Sequence, residues 1–445
     1  MVLNNPYRVR NDLNPTQERS SPLAGFSCQM MLCFAALAVI IFLSACSSST
    51  PQPSFVETMP PSTTSTEPSL TPAKPTAASM PTSSPTSPLF TPTPAAKTPT
   101  VELAPTTSTR FPAGFPGWIA YTAILDPGPL VRIDIARLTV DGGNQVWITE
   151  TDYDSLISVF SMDGERIAFW SFDLQTQVSN LWVKDLETGI SKPLTTEGVI
   201  FMNPVSWSPD GSFIVYEDTK SEDQAIDVFR VGVFDGSLVN LTDDPLFTDG
   251  APAWSPDGRW IGFHSNREGG EAGTEDIWLM SPDGTDFQNL TSSTLPWRDR
   301  FPAWSPDGSR IAFYRQGSVS DSISSADLPG LWVMNADGSN QYMLVPFETF
   351  ASEPPVWSPD GKWIAASDGE PEFSDIWLAP TQGGEAVPIL IPGLERSVCW
   401  SPDSSALILT HDDGENLSLN LVILEPMEIL PIELEGWGDY CDWTP

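Results

Sequence analysis

The chain has little histidine and little positive charge. Its 445 residues include two histidines, and 21 Lys and Arg stand against 58 Asp and Glu, which gives a formal net charge of -37. A nucleic-acid-binding surface needs basic side chains to replace the counterions of phosphate, so that class of function is excluded. Anionic membrane surfaces are unsuitable partners for the same reason, whereas cations, basic proteins and neutral glycans remain open.

Cysteine is also scarce, and its five copies are unevenly placed. Three of them lie near the N-terminus (Cys28, Cys33 and Cys46), and two lie near the C-terminus (Cys399 and Cys441). The chain contains no C-x-x-C pair and no Cys/His cluster, so we expect no zinc or redox site and no cofactor. Histidine-based catalysis also has little support, because only His264 and His411 are present.

Long apolar runs are absent except for one at residues 30–45, which ends in Leu43-Ser44-Ala45-Cys46. A run this short that ends in small residues is typical of a signal peptide rather than a spanning helix. The ending resembles the lipobox of bacterial lipoproteins, which implies cleavage after Ala45 and a lipid on Cys46. An uncleaved anchor is the alternative. Both interpretations predict an extracytoplasmic protein. In the lipoprotein interpretation, the lipid on Cys46 is the one membrane attachment.

Residues 46–110 are dominated by Pro, Ser and Thr and have few apolar side chains. Such a segment cannot bury enough surface to offset the entropy of ordering it, so we expect a disordered linker. The sequence thus predicts three parts, namely a signal peptide over 1–45, a linker over 46–110 and a folded domain over 111–445.

The folded part repeats itself. The string Trp207-Ser208-Pro209-Asp210-Gly211 recurs at 254–258, 304–308 and 357–361, with weaker copies at 160–164 and 400–404. In each unit a short strand leads into the Trp, and Ser-Pro-Asp-Gly forms a turn. A second strand follows, then a third of the form Asp276-Ile277-Trp278-Leu279-Met280, then a fourth. Four short strands per unit of 40 to 50 residues predict the blades of an all-β propeller.

These repeats resemble those of TolB-like, WD-like propellers with Pro-Asp motifs, over residues 111–445. The resemblance implies a propeller fold but no particular role, since one scaffold hosts many functions. Six units begin at 160, 207, 254, 304, 357 and 400. A seventh is assembled from the first residues of the domain and the last, which supply complementary strands. We therefore predict a seven-bladed ring closed by pairing the two ends, with six blades, as in TolB, as the alternative.

The repeated motifs are interpreted as structural. The Trp residues fit an inter-blade core better than a sugar-stacking surface, and the turn Asp fits turn geometry because its spacing fails to match sialidase Asp-boxes. A peptidase of the prolyl-oligopeptidase type would need a hydrolase domain, which is not expected here. Acidic loops at 243–244 and 412–415 could supply oxygen ligands for calcium, but they match no calcium-loop pattern, so we expect no metal site.

Cys399 and Cys441 have opposite parity on the first strands of neighbouring units. Alternate residues of a strand point to opposite faces, and opposite faces of adjacent blades meet, so these two thiols could form a disulfide. An oxidising compartment permits that bond, with two isolated buried thiols as the alternative.

Charged residues recur where the chain enters each first strand, at the end of the ring opposite the Ser-Pro-Asp-Gly turns. They form our candidate ligand-binding rim: Asp249, Asp299, Arg300, Glu353, Glu395, Arg396 and Asp439. No catalytic set is recognisable, so we expect a non-enzymatic binding or scaffold module for an envelope protein, peptide or glycan. The alternatives are a solvated charged rim without a ligand, and an extracytoplasmic hydrolase or lyase that uses acidic residues at the channel mouth.

Overall fold

In the computed structural model the described residues run from 117 to 444. Short segments are left out at 126–131, 140–144, 150–152, 201–202, 220–224, 268–273, 293–296, 318–327, 348–352, 370–374, 390, 392–393, 413–416, 433 and 435–436. The chain divides into two units, Met1–Pro99 and Thr100–Pro445, and every described residue belongs to the second. The predicted signal peptide, Cys46 and the linker therefore lie outside the described residues.

The described residues form strands and turns. In chain order the strands are β1 (Trp118–Leu125), β2 (Arg132–Thr139), β3 (Gln145–Trp147), β4 (Asp154–Phe160), β5 (Arg166–Asp173), β6 (Val178–Asp185), β7 (Ser191–Pro193), β8 (Ser206–Trp207), β9 (Phe213–Thr219), β10 (Ile226–Gly232), β11 (Leu238–Asn240), β12 (Asp249–Trp254), β13 (Ile261–Ser265) and β14 (Asp276–Met280). The second half consists of β15 (Gln288–Asn289), β16 (Arg298–Trp304), β17 (Arg310–Gln316), β18 (Gly330–Asn335), β19 (Tyr342–Pro346), β20 (Val356–Trp357), β21 (Trp363–Asp368), β22 (Asp375–Pro380), β23 (Val387–Ile389), β24 (Leu394–Trp400), β25 (Ala406–Asp412), β26 (Leu417–Leu424), β27 (Met427–Ile432) and β28 (Trp437–Thr444). No helix in the described part of the chain is long and apolar enough to cross a membrane.

The strands make seven antiparallel sheets of four, which are the blades. Six sheets take consecutive strands, from β4–β7 to β24–β27, and one has the order β28-β1-β2-β3. First strands of successive blades contact one another, as β12 does with β16 and β24 with β28, so they form the inner wall of the ring. The prediction of seven blades is confirmed, and six is excluded.

The ring closes as predicted, by pairing the last strand of the chain with the first. β28 is hydrogen-bonded to β1 from Trp118 opposite Thr444 to Ile124 opposite Trp437, with one irregularity at Tyr121 and Thr122. Because the first blade takes its inner strand from the far end of the chain, this pairing joins residues more than 300 positions apart, and it fixes the ring at a set number of blades.

The repeated Trp residues lie between blades and hold them together. Trp207, Trp254, Trp357, Trp400 and Trp443 are all buried. Four of the repeated indoles donate their Nε1–H to the backbone carbonyl just before the repeated aromatic of the preceding blade, at 3.0–3.2 Å: Trp207 to Val159, Trp304 to Ala253, Trp357 to Ala303 and Trp400 to Val356. The interpretation of these Trp residues as core is therefore confirmed, and the indole also sets the spacing between blades.

Each Ser-x-Asp turn is tied by its own side chains. In all six turns the Ser hydroxyl donates to the Asp carboxylate at 2.5–2.8 Å, and that carboxylate accepts the N–H two residues later at 3.0–3.1 Å. In the last turn Ser404 replaces Gly and has a φ of 63°, so the backbone stays left-handed without a glycine. These bonds confirm that the repeated Asp fixes the turn.

Cys399 and Cys441 are joined by a disulfide with a Cα–Cα distance of 5.7 Å. Cys399 is on β24, in the seventh blade, and Cys441 is on β28, in the first. The two strands contact each other, so the bond links the last blade to the strand that closes the ring.

Candidate functional site at the channel mouth

The direction of the inner strands defines the two ends of the ring. Six of the first strands end at the repeated aromatic and are followed by a Ser-x-Asp turn, which places these turns at one end, the turn end. The first strands begin, and the second strands end, at the opposite end. We call that end the channel mouth. It is the end at which sequence reasoning placed the ligand rim.

A cross-strand pair recurs at the mouth in the blades. In six blades one member lies four residues before the repeated aromatic and the other lies ten residues after it, whereas in the first blade Asp439, four residues before Trp443, is paired with Thr122 of β1. Five of these mouth pairs are opposite each other in the strand ladders: Asp439 and Thr122, Leu156 and Trp170, Gly250 and His264, Arg300 and Tyr314, and Arg396 and Thr410. The same spacing gives Asn203 with Glu217, whose side chains are hydrogen-bonded, and Glu353 with Ser367, although Asn203 and Glu353 precede their first strands. Directly paired residues share a face of the sheet, so the side chains of a ladder pair such as Arg300 and Tyr314 point the same way.

The second-strand member of a mouth pair reaches the next blade. Thr122 Oγ1 accepts the N–H of Ile157 at 3.2 Å, and Trp170 Nε1 donates to the carbonyl of Asn203 at 2.9 Å. The Tyr314 hydroxyl accepts the N–H of Ser367 at 3.0 Å. The mouth pairs therefore lie between blades, and their side chains define how each blade meets its neighbour at this end.

A β-bulge accompanies the pair in five blades. The residue three before the repeated aromatic has a positive φ although it is not glycine, at Ile157, Ala251, Phe301, Ser397 and Tyr440 (30° to 57°). The ladder register shifts at these places. Such backbone is costly for L-residues and persists where the surroundings hold it, and it is enriched at binding and catalytic sites.

Glu217, on β9, is the central acidic group of the mouth. Its Oε2 accepts the N–H of Ala251 at 2.5 Å, and its Oε1 accepts the amide of Asn203 at 2.5 Å. Burial raises the pKa of this carboxyl, which these two hydrogen bonds and the charge of Arg300 partly offset. No Lys or Arg nitrogen among the described residues forms an ion pair with it.

His264 lies beside Glu217, on the next blade. A Cβ on Gly250 would meet Glu217 Oε2 at 2.7 Å and His264 Nε2 at 3.0 Å, so both side chains occupy the space that the glycine leaves. The imidazole is 8% exposed, and its Nδ1 has no hydrogen-bond partner among the described residues. Burial, followed by the charge of Arg300, lowers the pKa of His264 to about 4, so the ring is neutral at pH 7.

Arg300, on β16 of the fifth blade, is the third residue of this group, and its guanidinium forms an ion pair with Glu275. Its Nε and Nη2 both bond to the carboxylate of Glu275, the latter at 2.5 Å, and the guanidinium side chain is 29% exposed. Burial alone would raise the pKa of Glu275, but the hydrogen bonds and charge of Arg300 hold that pKa below its ordinary value. Arg300 is therefore bound to Glu275 rather than to Glu217.

Two residues of the predicted rim, Asp249 and Asp299, are buried in ion pairs. Both were predicted to belong to a ligand-binding rim, and both are 0% exposed. Asp249 pairs with Arg267 at 2.6 Å and Asp299 with Arg315 at 2.7 Å. Each lies one residue before a mouth-pair position, so the alternation of the strand turns its side chain to the other face of the blade.

The remaining rim residues divide between the two positions. Arg300, Glu353, Arg396 and Asp439 are members of mouth pairs, whereas Glu395 is on the position of Asp249 and Asp299. Glu353 is half-buried, and Asp439 is buried at 4% exposure. Glu395 and Arg396 belong to β24, but their side chains lie outside the described residues. A ligand-binding role for these five residues stays a prediction.

Sequence reasoning missed the second-strand half of the site. Glu217 and His264 belong to second strands, to which the sequence analysis assigned no ligand role, and the charged residues before the first strands were selected instead. The signal was available in the constant spacing of ten residues after the repeated aromatic, which selects Trp170, Glu217, His264, Tyr314, Ser367 and Thr410. Within the described ranges, no group of three or more His, Cys, Asp and Glu side chains could hold a metal ion.

Comparisons with known proteins agree on the fold and give no single activity. An uncharacterized protein of Agrobacterium fabrum is 34% identical over 164 residues, 36% of this chain and 52% of that protein. An uncharacterized peptidase of Bacillus subtilis is 26% identical over 238 residues, 51% of this chain and 32% of that protein. The chain thus spans about half of the first relative and a third of the second.

Among solved structures, the β-propeller domain of the trilobed protease from Pyrococcus furiosus superposes with a TM-score of 0.52. The identity is 15%, over 72% of this chain and 94% of that one. This likeness is one of fold alone. That propeller is described as having an open velcro topology, whereas here β28 pairs with β1.

The model of the TolB beta propeller domain matches residues 109–331, half of the chain. This match covers the first five blades up to the start of β18 and includes Glu217, His264 and Arg300. Together with seven blades built on Trp-Ser-Pro-Asp-Gly turns, it shows that the chain belongs to the TolB β-propeller family.

Proposed function

We propose that the chain is a non-catalytic lipoprotein of the cell envelope, whose propeller binds an envelope protein, peptide or glycan at the channel mouth. Two observations support an extracytoplasmic place. The disulfide between Cys399 and Cys441 suits an oxidising compartment. The Leu43-Ser44-Ala45-Cys46 ending suits lipid attachment at Cys46 as the one membrane anchor.

The difference between the two ends of the ring carries the choice of face. At the turn end the repeated Asp carboxylates are bonded within their own turns, to a Ser hydroxyl and a backbone N–H. At the mouth, side chains from three consecutive blades come together, namely Glu217, His264 and Arg300, and one of them is a carboxylate that lacks a cation among the described residues. Polar groups that converge from several elements are a usual feature of binding sites.

A pair of substitutions at the two ends tests this proposal. Asn203→Arg puts a long cationic side chain into the mouth beside Glu217. Gln382→Arg also replaces a neutral amide with arginine, but on an exposed turn of the sixth blade at the turn end. The full-length protein is immobilised and exposed to solubilised envelope. We expect Asn203→Arg to lower the recovery of the specific partner at least tenfold and Gln382→Arg to change it less than twofold. Equal recovery by the two variants, or loss in Gln382→Arg alone, would contradict the proposal.

A second candidate is an extracytoplasmic hydrolase or lyase at the same mouth. The observation that favours it is that Glu217, a carboxyl group whose pKa is raised by burial, lies beside a neutral imidazole, since carboxyl and imidazole groups are the usual general acids and bases of enzymes. Incubation of the wild type with peptide and oligosaccharide mixtures, followed by mass spectrometry, tests this candidate. Products that form with the wild type and vanish in Glu217→Gln would favour it over a binding module.

A further inference from the structure

Glu217 is a carboxyl group of the mouth for which the described residues provide no ion-pair partner. Three other acidic groups at this end do form ion pairs: Glu275 with Arg300, Asp249 with Arg267 and Asp299 with Arg315. The donors to Glu217 are neutral, the N–H of Ala251 and the amide of Asn203. These hydrogen bonds hold the carboxylate in place without cancelling its charge.

The charged groups next to Glu217 have partners of their own. Asp218 is buried at 8% exposure, and its carboxylate accepts the N–H of Ile200 at 2.9 Å. His264 contributes no charge at pH 7, and the single positive charge of Arg300 is matched by Glu275. Among the ion pairs of the described residues, none therefore includes Glu217.

The mouth also offers hydrogen-bond capacity beside that charge. His264 is more than nine-tenths buried and touches the same space above Gly250 as Glu217, and its Nδ1 has no partner among the described residues. A neutral imidazole and an ionised carboxylate can together accept hydrogen bonds from a group with several N–H donors. An ammonium carries three such donors and a positive charge.

We propose that the ligand of the mouth presents an ammonium group to Glu217, with His264 beside it. The inference rests on the proposed binding function and specifies its ligand class. Glu217 accepts two N–H bonds already, and a carboxylate has four lone-pair sites, so it retains acceptor capacity for the ammonium. A charge-assisted hydrogen bond of this kind is about twice as strong as a neutral one. The ammonium could come from a peptide N-terminus, a lysine side chain or an amino sugar.

Calorimetric titrations of the full-length protein at pH 7 separate these sources. The probes are Gly-Gly-Gly-amide for an N-terminus, acetyl-Gly-Lys-Gly-amide for a lysine side chain and glucosamine for an amino sugar, with acetyl-Gly-Gly-Gly-amide as the uncharged control. We expect at least one ammonium probe to bind the wild type and the control not to bind. Glu217→Gln should weaken that binding at least tenfold, and Glu187→Gln, an exposed glutamate at the turn end, less than twofold.

A second variant covers the case in which Glu217→Gln fails to fold. Asn203→Arg leaves the carboxylate intact and supplies it with a guanidinium, so it should abolish ammonium binding as well. The inference is overturned if no ammonium probe binds the wild type, or if binding is equal in Glu217→Gln and the wild type. It is also overturned if Ca²⁺ binds in a Glu217-dependent way while the ammonium probes do not. If Asn203→Arg still loses the envelope partner in any of these cases, the proposed function survives and the ammonium assignment alone fails.

Discussion

At the scale of single residues, one position along a strand decides whether a charged side chain is structural or available. Asp299 and Arg300 are neighbours on β16, yet Asp299 forms a buried ion pair with Arg315, whereas Arg300 reaches the mouth and pairs with Glu275. The period of two along a strand makes this difference, because adjacent side chains leave opposite faces of the blade. A charged residue at the start of a first strand can therefore be structural or can reach the mouth. A position five residues before the repeated aromatic, such as Asp299, is structural, and a position four residues before it, such as Arg300, reaches the mouth.

Asp249 should be a stability residue. Asp249→Asn leaves the guanidinium of Arg267 without its carboxylate in a buried setting, where that side chain also lies 4.4 Å from the ring of Phe287. Removing one partner of a buried ion pair costs about 3–5 kcal/mol. Urea unfolding should show this loss, and Asp286→Asn, at an exposed position, serves as the control. A loss below about 1 kcal/mol would contradict a structural role for Asp249.

The turn carboxylates should stabilise the fold in their ionised form. The hydrogen bonds from Ser305 and Ser309 lower the pKa of Asp307 to about 2, against an ordinary 3.8. A depressed pKa contributes stability that is present above the unfolded value and is lost as the pH falls through the folded one. Asp307→Asn should therefore cost about 1 kcal/mol at pH 6. The difference from the wild type should shrink between pH 4 and about pH 2. A difference that is constant over this range would show that the charge of Asp307 does not matter.

At the scale of elements, the closing strand β28 is the point on which the ring depends. It pairs with β1, contacts β24 and β4, and is linked to β24 by the disulfide. A loop of 42 residues separates the two cysteines. In the chain-entropy model a loop of this length corresponds to about 4 kcal/mol of stabilisation.

Removing the disulfide should loosen the closure more than the other blades. Cys399→Ser with Cys441→Ser should lower the free energy of unfolding by about 2–4 kcal/mol. The rate of amide hydrogen exchange should rise first in β28 and β1. Strand β13, in the fourth blade, serves as the internal reference. Uniform acceleration in all blades, or no change at all, would contradict a closing role for this bond.

Asp442, also on β28, should oppose the turn carboxylates in its pH dependence. It is half-buried between the first and second blades, where it accepts the N–H of Phe160 at 2.7 Å, and desolvation raises its pKa. A raised pKa gives stability that is present at low pH and is lost as the pH rises through the folded value. Asp442→Asn should therefore gain stability relative to the wild type at neutral pH, and the gain should diminish as the pH falls toward 3.8. A variant that is less stable at neutral pH than at pH 4, relative to the wild type, would contradict this sign.

At the scale of the whole molecule, the sequence predicted the fold more completely than the site. Trp-Ser-Pro-Asp-Gly strings carry their own turn chemistry, so the blades, their number and the closure follow from local pattern and spacing. The site depends on which side chains meet across blade boundaries. Strand register and the bulges at Ala251 and Phe301 determine these contacts, and the repeated motifs do not predict the bulges. Glu217 and His264 are separated by a full repeat and meet only because Gly250 leaves them space.

The central claim, that the ligand binds at the mouth rather than at the turn end, is tested most directly by photo-crosslinking in cells. A photoreactive phenylalanine analogue is placed at Tyr153 and Leu246 on mouth loops, and at Met162 and Phe234 on turns, all of which are at least 43% exposed apolar positions. The account predicts a common adduct of defined mass from the two mouth positions and none from the two turn positions. Adducts from Met162 and Phe234, with none from Tyr153 and Leu246, would contradict it.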